Sequence, residues 1–235
     1  DSSGEWLPGN TRREWIKRFG TDIVDHIGCA EMGALFIQPE WCPEEKADSS
    51  GKLTPGLKMK MVDENFNEVP TGTFGEVLVQ GQIPILYWRR PEAQKNAVRD
   101  GWNRTGLAGR VDGDDYFWLK SRVDDMIVTA GYKVPSGEVE NILMSHKAVH
   151  EAAAVAAPDS LRGNVVKAFI VLRKGFEPSE TLKKELQDHA KAKLEPYKYP
   201  RRIEFVDGAK LPRAQMGKIL RRVLTEMEKK GERIR

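Results

Sequence analysis

Residues 100–140 read DGWNRTGLAGRVDGDDYFWLKSRVDDMIVTAGYKVPSGEVE, and the reading of this stretch decides the fold. It is dense in turn formers, charges and aromatics. Residues 116–119 form an apolar run of aromatic strand formers, and Gly113, Asp114 and Asp115 just before them signal a tight turn. Residues 126–130 are a second apolar run, closed by Gly131. Ser136 reads as a helix N-cap, with Glu138 and Glu140 bringing negative charge to the positive end of the helix dipole. The expected order is strand, turn, strand, short polar link, strand, glycine loop, helix.

Toward the carboxyl end, a helix from 136 to about 146 buries Val139, Ile142 and Leu143. Residues 152–157 and 165–172 read as strands, the second so continuously apolar that it belongs at the centre of its sheet. Leu182, Leu186 and Ala190 mark another helix, and residues 203–206 another strand. Ile219, Leu220, Val223, Leu224 and Met227 form the stripe of a closing helix, after which residues 229–235 fray. Toward the amino end, Pro91 opens a short helix over 91–98. Residues 57–62, 75–80 and 83–88 are short strands of a small twisted β subdomain, and 42–56 is a loop. Residues 22–27 form a strand, and 11–19 a helix with a Thr11–Glu14 capping box and Trp15, Ile16 and Phe19 at helical spacing. The fold class is α+β. Residues 1–123 are the end of an α/β amino-terminal domain with its β subdomain, and residues 124–235 are a compact α+β domain. A hinge lies in the polar link 120–125, short enough to turn through a few dihedrals.

Forty per cent hydrophobic and 31% charged residues in 235 is ordinary globular composition. A net charge of +3 is too small to argue for nucleic acid, and the Lys and Arg residues of the closing helix read as a solvated face. No apolar run reaches the about 20 residues of a membrane span, and no secretory leader is visible. Cys29 and Cys42 make neither a metal spacing nor a disulfide framework. A cytoplasmic setting is expected. Ligands of α/β folds bind beyond the carboxyl ends of strands, so Glu31, following the 22–27 strand, is a site candidate; on position alone a solvated loop acid fits equally.

Three blocks occur in order: Trp102-Asn103-Arg104-Thr105-Gly106-Leu107, Asp114-Asp115-Tyr116 and Ser121-Arg122-Val123-Asp124-Asp125. They resemble the adenylate-forming enzymes, specifically the AMP-forming acyl-CoA ligases, whose usual forms are Trp-x-x-Thr-Gly-Asp, Asp-Gly-Tyr and Gly-Arg-x-Asp-Asp. Residues 138–146 and 196–205 look most like medium-chain acyl-CoA and benzoate-CoA ligases. The resemblance implies a two-step reaction. A carboxylic acid attacks ATP to give acyl-AMP and pyrophosphate, and the CoA thiol then takes the acyl group.

The roles that follow are what the resemblance implies. Lys218, closing the loop Leu211-Pro212-Arg213-Ala214-Gln215-Met216-Gly217, neutralises charge during adenylation, and Glu31 serves Mg2+. Ile27, Gly28 and Ala30 occupy the block that holds the adenine and phosphate of ATP or AMP. Leu107 stands where an acid takes the ribose, with Arg122 beside it. Asp124 is the hinge pivot. Gly131 and Tyr132 line the CoA pantetheine path, where a residue without Cβ admits close approach. Arg162 is aimed at a CoA phosphate; taken alone it reads equally as a turn arginine. The opening Asp1-Ser2-Ser3-Gly4-Glu5, without Met, reads as the interior of a longer enzyme whose upstream region carries the phosphate loop. Ile27, Ala30, Leu107, Ala214 and Met216 depart from the usual pattern. They keep a second reading open: a degenerate non-catalytic homologue, or a free-standing nucleotide-, CoA- or partner-binding module. The acyl group and the oligomeric state are not legible.

Overall fold

The computed structural model describes residues 1–3, 7, 9–29, 32–37, 42–81, 86–215 and 217–234. The chain divides into two compact units, Asp1–Val123 and Asp124–Arg235.

The first unit runs β1 (Ser2–Ser3), α1 (Gly9–Phe19), β2 (Asp25–Cys29), β3 (Gly33–Ile37), β4 (Lys52–Leu53), β5 (Lys58–Val62), β6 (Gly75–Gln80), α2 (Pro91–Ala97), β7 (Val98–Arg99), β8 (Trp102–Val111) and β9 (Phe117–Arg122). One sheet has the order β1-β2-β3-β4; the other has the order β5-β6-β8-β7, with β9 also paired to β8. Phe36 of β3 stacks on Phe117 of β9 with ring centroids 4.3 Å apart, so a single apolar cluster spans both sheets. Phe117 also donates its N–H to Gly51 O, and its carbonyl accepts from Ser50 N, which stitches β9 to the segment leading into β4.

Three expectations for this unit are corrected. Helix α1 begins at Gly9, two residues before Thr11, and its inward side chain is Arg12, buried in an ion pair with Asp22. Trp15 and Phe19 instead face outward and lie against each other at 4.3 Å. The strand expected over 22–27 starts at Asp25, because the Asp22 carboxylate is engaged by Arg12 and by Ile23 N. Of the strand expected over 83–88, residues 83–85 lie outside the described residues, and 86–88 are turn and coil.

The second unit runs β10 (Met126–Thr129), β11 (Tyr132–Pro135), α3 (Ser136–Met144), β12 (Val149–Asp159), β13 (Gly163–Leu172), α4 (Glu180–Lys191), β14 (Arg202–Phe205) and α5 (Arg221–Lys230). β13 is the middle strand, antiparallel to β12 and parallel to β14. Successive strand residues face opposite ways. Ala152, Ala154, Val166, Ala168 and Ile170 pack with Val139 and Leu143 of α3 and Leu182, Leu186 and Ala190 of α4. Ala153, Val155 and Phe169 on the other face pack with Leu211, Ile219 and Leu224. Both faces are covered, which is why the strands read as unbroken apolar runs. α4 is capped by Ser179, whose hydroxyl accepts from Leu182 N at 3.1 Å.

Three helix ends also differ from expectation. Strand β11 continues through Pro135, so Pro135 is the N-cap of α3 and Ser136 is its buried first residue. α5 begins only at Arg221, because Ile219 is taken into an antiparallel bridge with Arg213. The tail does not simply fray. Gly231 closes α5 in the left-handed conformation (φ +68°), Glu232 N reaches back to Met227 O at 2.9 Å, and Ile234 packs on the cluster around Leu224.

Candidate active site

The residues expected at a nucleotide fall into two sets. Ile27 on β2 and Leu107 on β8 are 7% and 5% exposed, and both belong to the apolar cluster of the first unit. Here they act as core residues and offer a ligand little surface. Gly28 and Arg122 are accessible. Gly28 lies exposed on β2, where the β2–β3 register shifts between Ile27 and Gly28. Arg122 ends β9 opposite Leu107, and its guanidinium lies over Gly106 (φ +69°), 3.0 Å from where a Cβ would stand. Thr105 is occupied structurally: its hydroxyl donates to Val77 O at 2.8 Å and accepts from Leu107 N at 3.0 Å. Ala30, Glu31 and Met216 lie outside the described residues.

The turn between β8 and β9 has a structural explanation of its own. Asp112 accepts from Asp114 N and Tyr116 N at 3.0 Å, and from Trp118 Nε1 and Lys46 Nζ at 2.7 Å. Burial opposes its ionisation, yet these donors outweigh it and hold the carboxyl well below the usual range.

The residues expected at CoA do come together. Ala130 and Gly131 link β10 to β11 as a two-residue hairpin turn, both with positive φ (+48° and +84°), the pattern of a type I′ turn. A Cβ on Gly131 would meet nothing within 4 Å, so the backbone conformation, rather than crowding, requires glycine there. Ala130 N donates to Arg162 O at 3.1 Å, which seats the turn against the β12–β13 loop. Arg162 itself is exposed in that loop. Asp159 shapes the loop by accepting from Leu161 N and Arg162 N at 3.1 Å; the Leu161 N–H bond leads in holding its carboxyl below the ordinary value. Tyr132 is 54% exposed and stacks on Tyr197 at 4.3 Å.

Lys218 sits on a loop closed on itself. Ala214 N donates to Lys218 O at 2.9 Å, Gly217 N to Ala214 O at 2.9 Å, and Leu220 N to Pro212 O at 2.8 Å. The guanidinium of Arg213 bonds Gly217 O at 2.9 Å and the Glu151 carboxylate on β12. The Lys218 side chain is half-buried, and its ammonium has no partner among the described residues. Asp124 is exposed in the three-residue turn between β9 and β10.

Sequence reasoning misassigned one group: Glu140, expected beside Glu138 as a charge at the helix dipole, is buried beyond the first turn of α3. Glu140, 4% exposed on α3, accepts from Ala154 N at 2.8 Å and from Arg221 Nε and Nη2 at 2.7 Å each. A signal was present: Glu140 lies on the stripe of Ser136, Val139 and Leu143, and an acid on a buried stripe requires a buried partner. Among the described residues, no group of three or more His, Cys, Asp or Glu stands ready to hold a metal ion. The shallow groove between α4 and β14, lined by Lys183, Lys184, Lys191, Arg201 and Arg202, includes none of the expected residues.

An open two-sheet unit, followed by an α+β domain with a lysine loop and a glycine hairpin, defines a class. The sequence matches the AMP-binding enzyme family over residues 2–85 and the AMP-binding enzyme C-terminal domain over residues 138–218, and the chain belongs to this family of adenylate-forming enzymes. It is 40% identical to benzoate–CoA ligase of Thauera aromatica over 94% of its own length and 42% of the relative's. It is 38% identical to acetyl-coenzyme A synthetase of Bacillus subtilis (strain 168), over 97% and 40%. The solved anthranilate CoA ligase AuaEII, in complex with anthranoyl-AMP, superposes with a TM-score of 0.86 at 37% identity, over 95% of this chain and 43% of that one. The chain thus spans well under half the length of these relatives. No helix among the described residues is long and apolar enough to cross a membrane.

Proposed function

We propose that this chain is the carboxy-terminal portion of a cytoplasmic AMP-forming acyl-CoA ligase, which converts a carboxylic acid and ATP to acyl-AMP and then transfers the acyl group to CoA. The observation that carries the reading is Lys218, an ammonium with no partner among the described residues, on a loop tied at both ends. A lysine held so can meet negative charge developing on phosphate or carboxylate oxygens without reorganising its base. Arg122 and the backbone at Gly28 face the nucleotide. The Ala130–Gly131 turn, Tyr132 and Arg162 serve CoA, and Asp124 is the pivot between the two uses of the second domain. An amino-terminal region supplies the phosphate loop. Mg2+ falls to Glu31, outside the described residues, and the chemistry proposed for the described residues is that of Lys218 alone.

The test is a full-length protein carrying Lys218→Ala, with each half-reaction assayed separately. Acyl-AMP formation falls by at least about a hundredfold, the scale expected when a donor to developing charge is lost, while thioester formation from supplied acyl-AMP is spared. Equal loss in both half-reactions overturns the proposal. The 235-residue chain alone should give no pyrophosphate exchange, and robust exchange would overturn the reading of it as a portion of a longer ligase. A second reading, the degenerate nucleotide- or partner-binding homologue, is favoured by one observation: Ile27 and Leu107 are core residues. Under it, Lys218→Ala changes no rate, because there is none to change.

A further inference from the structure

We infer that Arg221 is a positioning residue that fixes the base of Lys218 and ties it to the segment at Asp125. This rests on the adenylation role proposed for Lys218. Arg221 is the first residue of α5, three positions after Lys218. A cation at a helix amino terminus is on the wrong side of the dipole, and the first turn of α5 carries no acid to offset it. Its placement is accounted for elsewhere. Arg221 Nε and Nη2 grip the two oxygens of Glu140 at 2.7 Å each, and Nη1 stands 3.8 Å from Asp125 Oδ2. Glu140 is anchored in turn by Ala154 N at 2.8 Å, in the middle of β12.

The other end of the loop is pinned to the same strand, by Arg213 on Glu151 of β12. Between the two arginines, Ile219 is 6% exposed and bridged to Arg213. Lys218 is therefore suspended between two arginine–glutamate pairs that both end on β12. The second pair also engages Asp125, next to Asp124. A turn about Asp124 then carries the lysine as part of one solid piece. A lysine at 221 could not reproduce the grip, since an ammonium offers a point charge where the guanidinium offers a planar fork.

The experiment compares Arg221→Gln and Arg221→Lys with the parent 235-residue chain by limited trypsin digestion, following the Lys218–Ile219 bond against the exposed Lys174–Gly175 turn of the same unit. Arg221→Gln raises cleavage at Lys218 at least tenfold with Lys174 unchanged, and Arg221→Lys falls between. Unchanged cleavage at Lys218, or an equal rise at both bonds, overturns the assignment, because the first denies the clamp and the second reduces it to global stability. In the full-length protein, Arg221→Gln lowers kcat for adenylation at least tenfold with KM for ATP within twofold, and has no further effect when Lys218 is already alanine. Additive losses would mean that Arg221 acts independently of Lys218, and would overturn it too. If Lys218→Ala itself leaves adenylation intact, the functional reading fails, while the digestion still decides whether the clamp exists.

Discussion

In Asp124–Arg235 the three-stranded sheet is covered on both faces, by α3 and α4 on one side and by α5 with the Lys218 loop on the other. In Asp1–Val123 the apolar cluster between the sheets is smaller, and large side chains point away from it: Trp15 and Phe19 on α1, and Leu86 and Trp88 at 78% and 77% exposure. The difference teaches what each unit can do by itself. Burial of a large apolar side chain is worth about 1.5–3 kcal/mol, and domain stability is a small difference of large terms. A unit with a double-sided core stands above that margin. One with a smaller core that leaves seven large apolar side chains exposed among its described residues, against four in the other unit, has less to spare.

The largest test is to separate them. Residues 124–235 expressed alone should unfold in one cooperative thermal transition, followed by circular dichroism, whereas residues 1–123 alone should show a broad or absent transition. The reverse result would dismantle the comparison. Next, Leu186→Ala removes a fully buried side chain between α4 and the sheet. It should cost about 2–5 kcal/mol by denaturant titration, confined to the second unit's transition.

Asp25 probes the first unit. It is 1% exposed, one of its carboxylate oxygens lacks a hydrogen-bond partner among the described residues, and burial raises its pKa. An acid whose folded pKa lies above its unfolded value lowers stability as pH rises from about 4, near the unfolded pKa, through the folded pKa, and by a constant amount beyond. Asp25→Asn should therefore gain on the parent across that window and hold the gain at neutral pH, with the second unit's melt unmoved. A gap that shrinks with rising pH would reverse the assignment. The smallest effect is Gly131→Ala, where only the positive φ resists the new Cβ. A loss of about 1–2 kcal/mol from the second unit is expected.

The same contrast governs what could be read from sequence. Leu182, Leu186 and Ala190 announced α4 because a helix on a covered sheet needs one clean stripe, and the unbroken apolar run of β13 announced a central strand. The stripe beginning at Ile219 misled, because Ile219 belongs to a bridge and Leu220 is only the N-cap of the helix. α1 misled in the opposite sense, its aromatics outward and an arginine inward. Of the site, the loops at Gly131 and Lys218 were legible from their Pro and Gly punctuation. Motif position said nothing of burial, so Leu107 and Ile27 read as ligand-facing. The Arg221–Glu140 pair joins residues 81 apart, and no local pattern carries such a pairing.

The closing turn at Gly231 has a practical consequence. It folds the chain back so that Ile234 rests on the cluster that holds Ile219, the residue after Lys218. Anything fused directly beyond this point, such as an affinity tag or a fluorescent partner, pulls on a residue that helps seat the lysine loop. A label intended to be silent belongs instead at an exposed turn such as that around Gly175, whose positive φ (+90°) and empty surroundings leave it independent of that cluster.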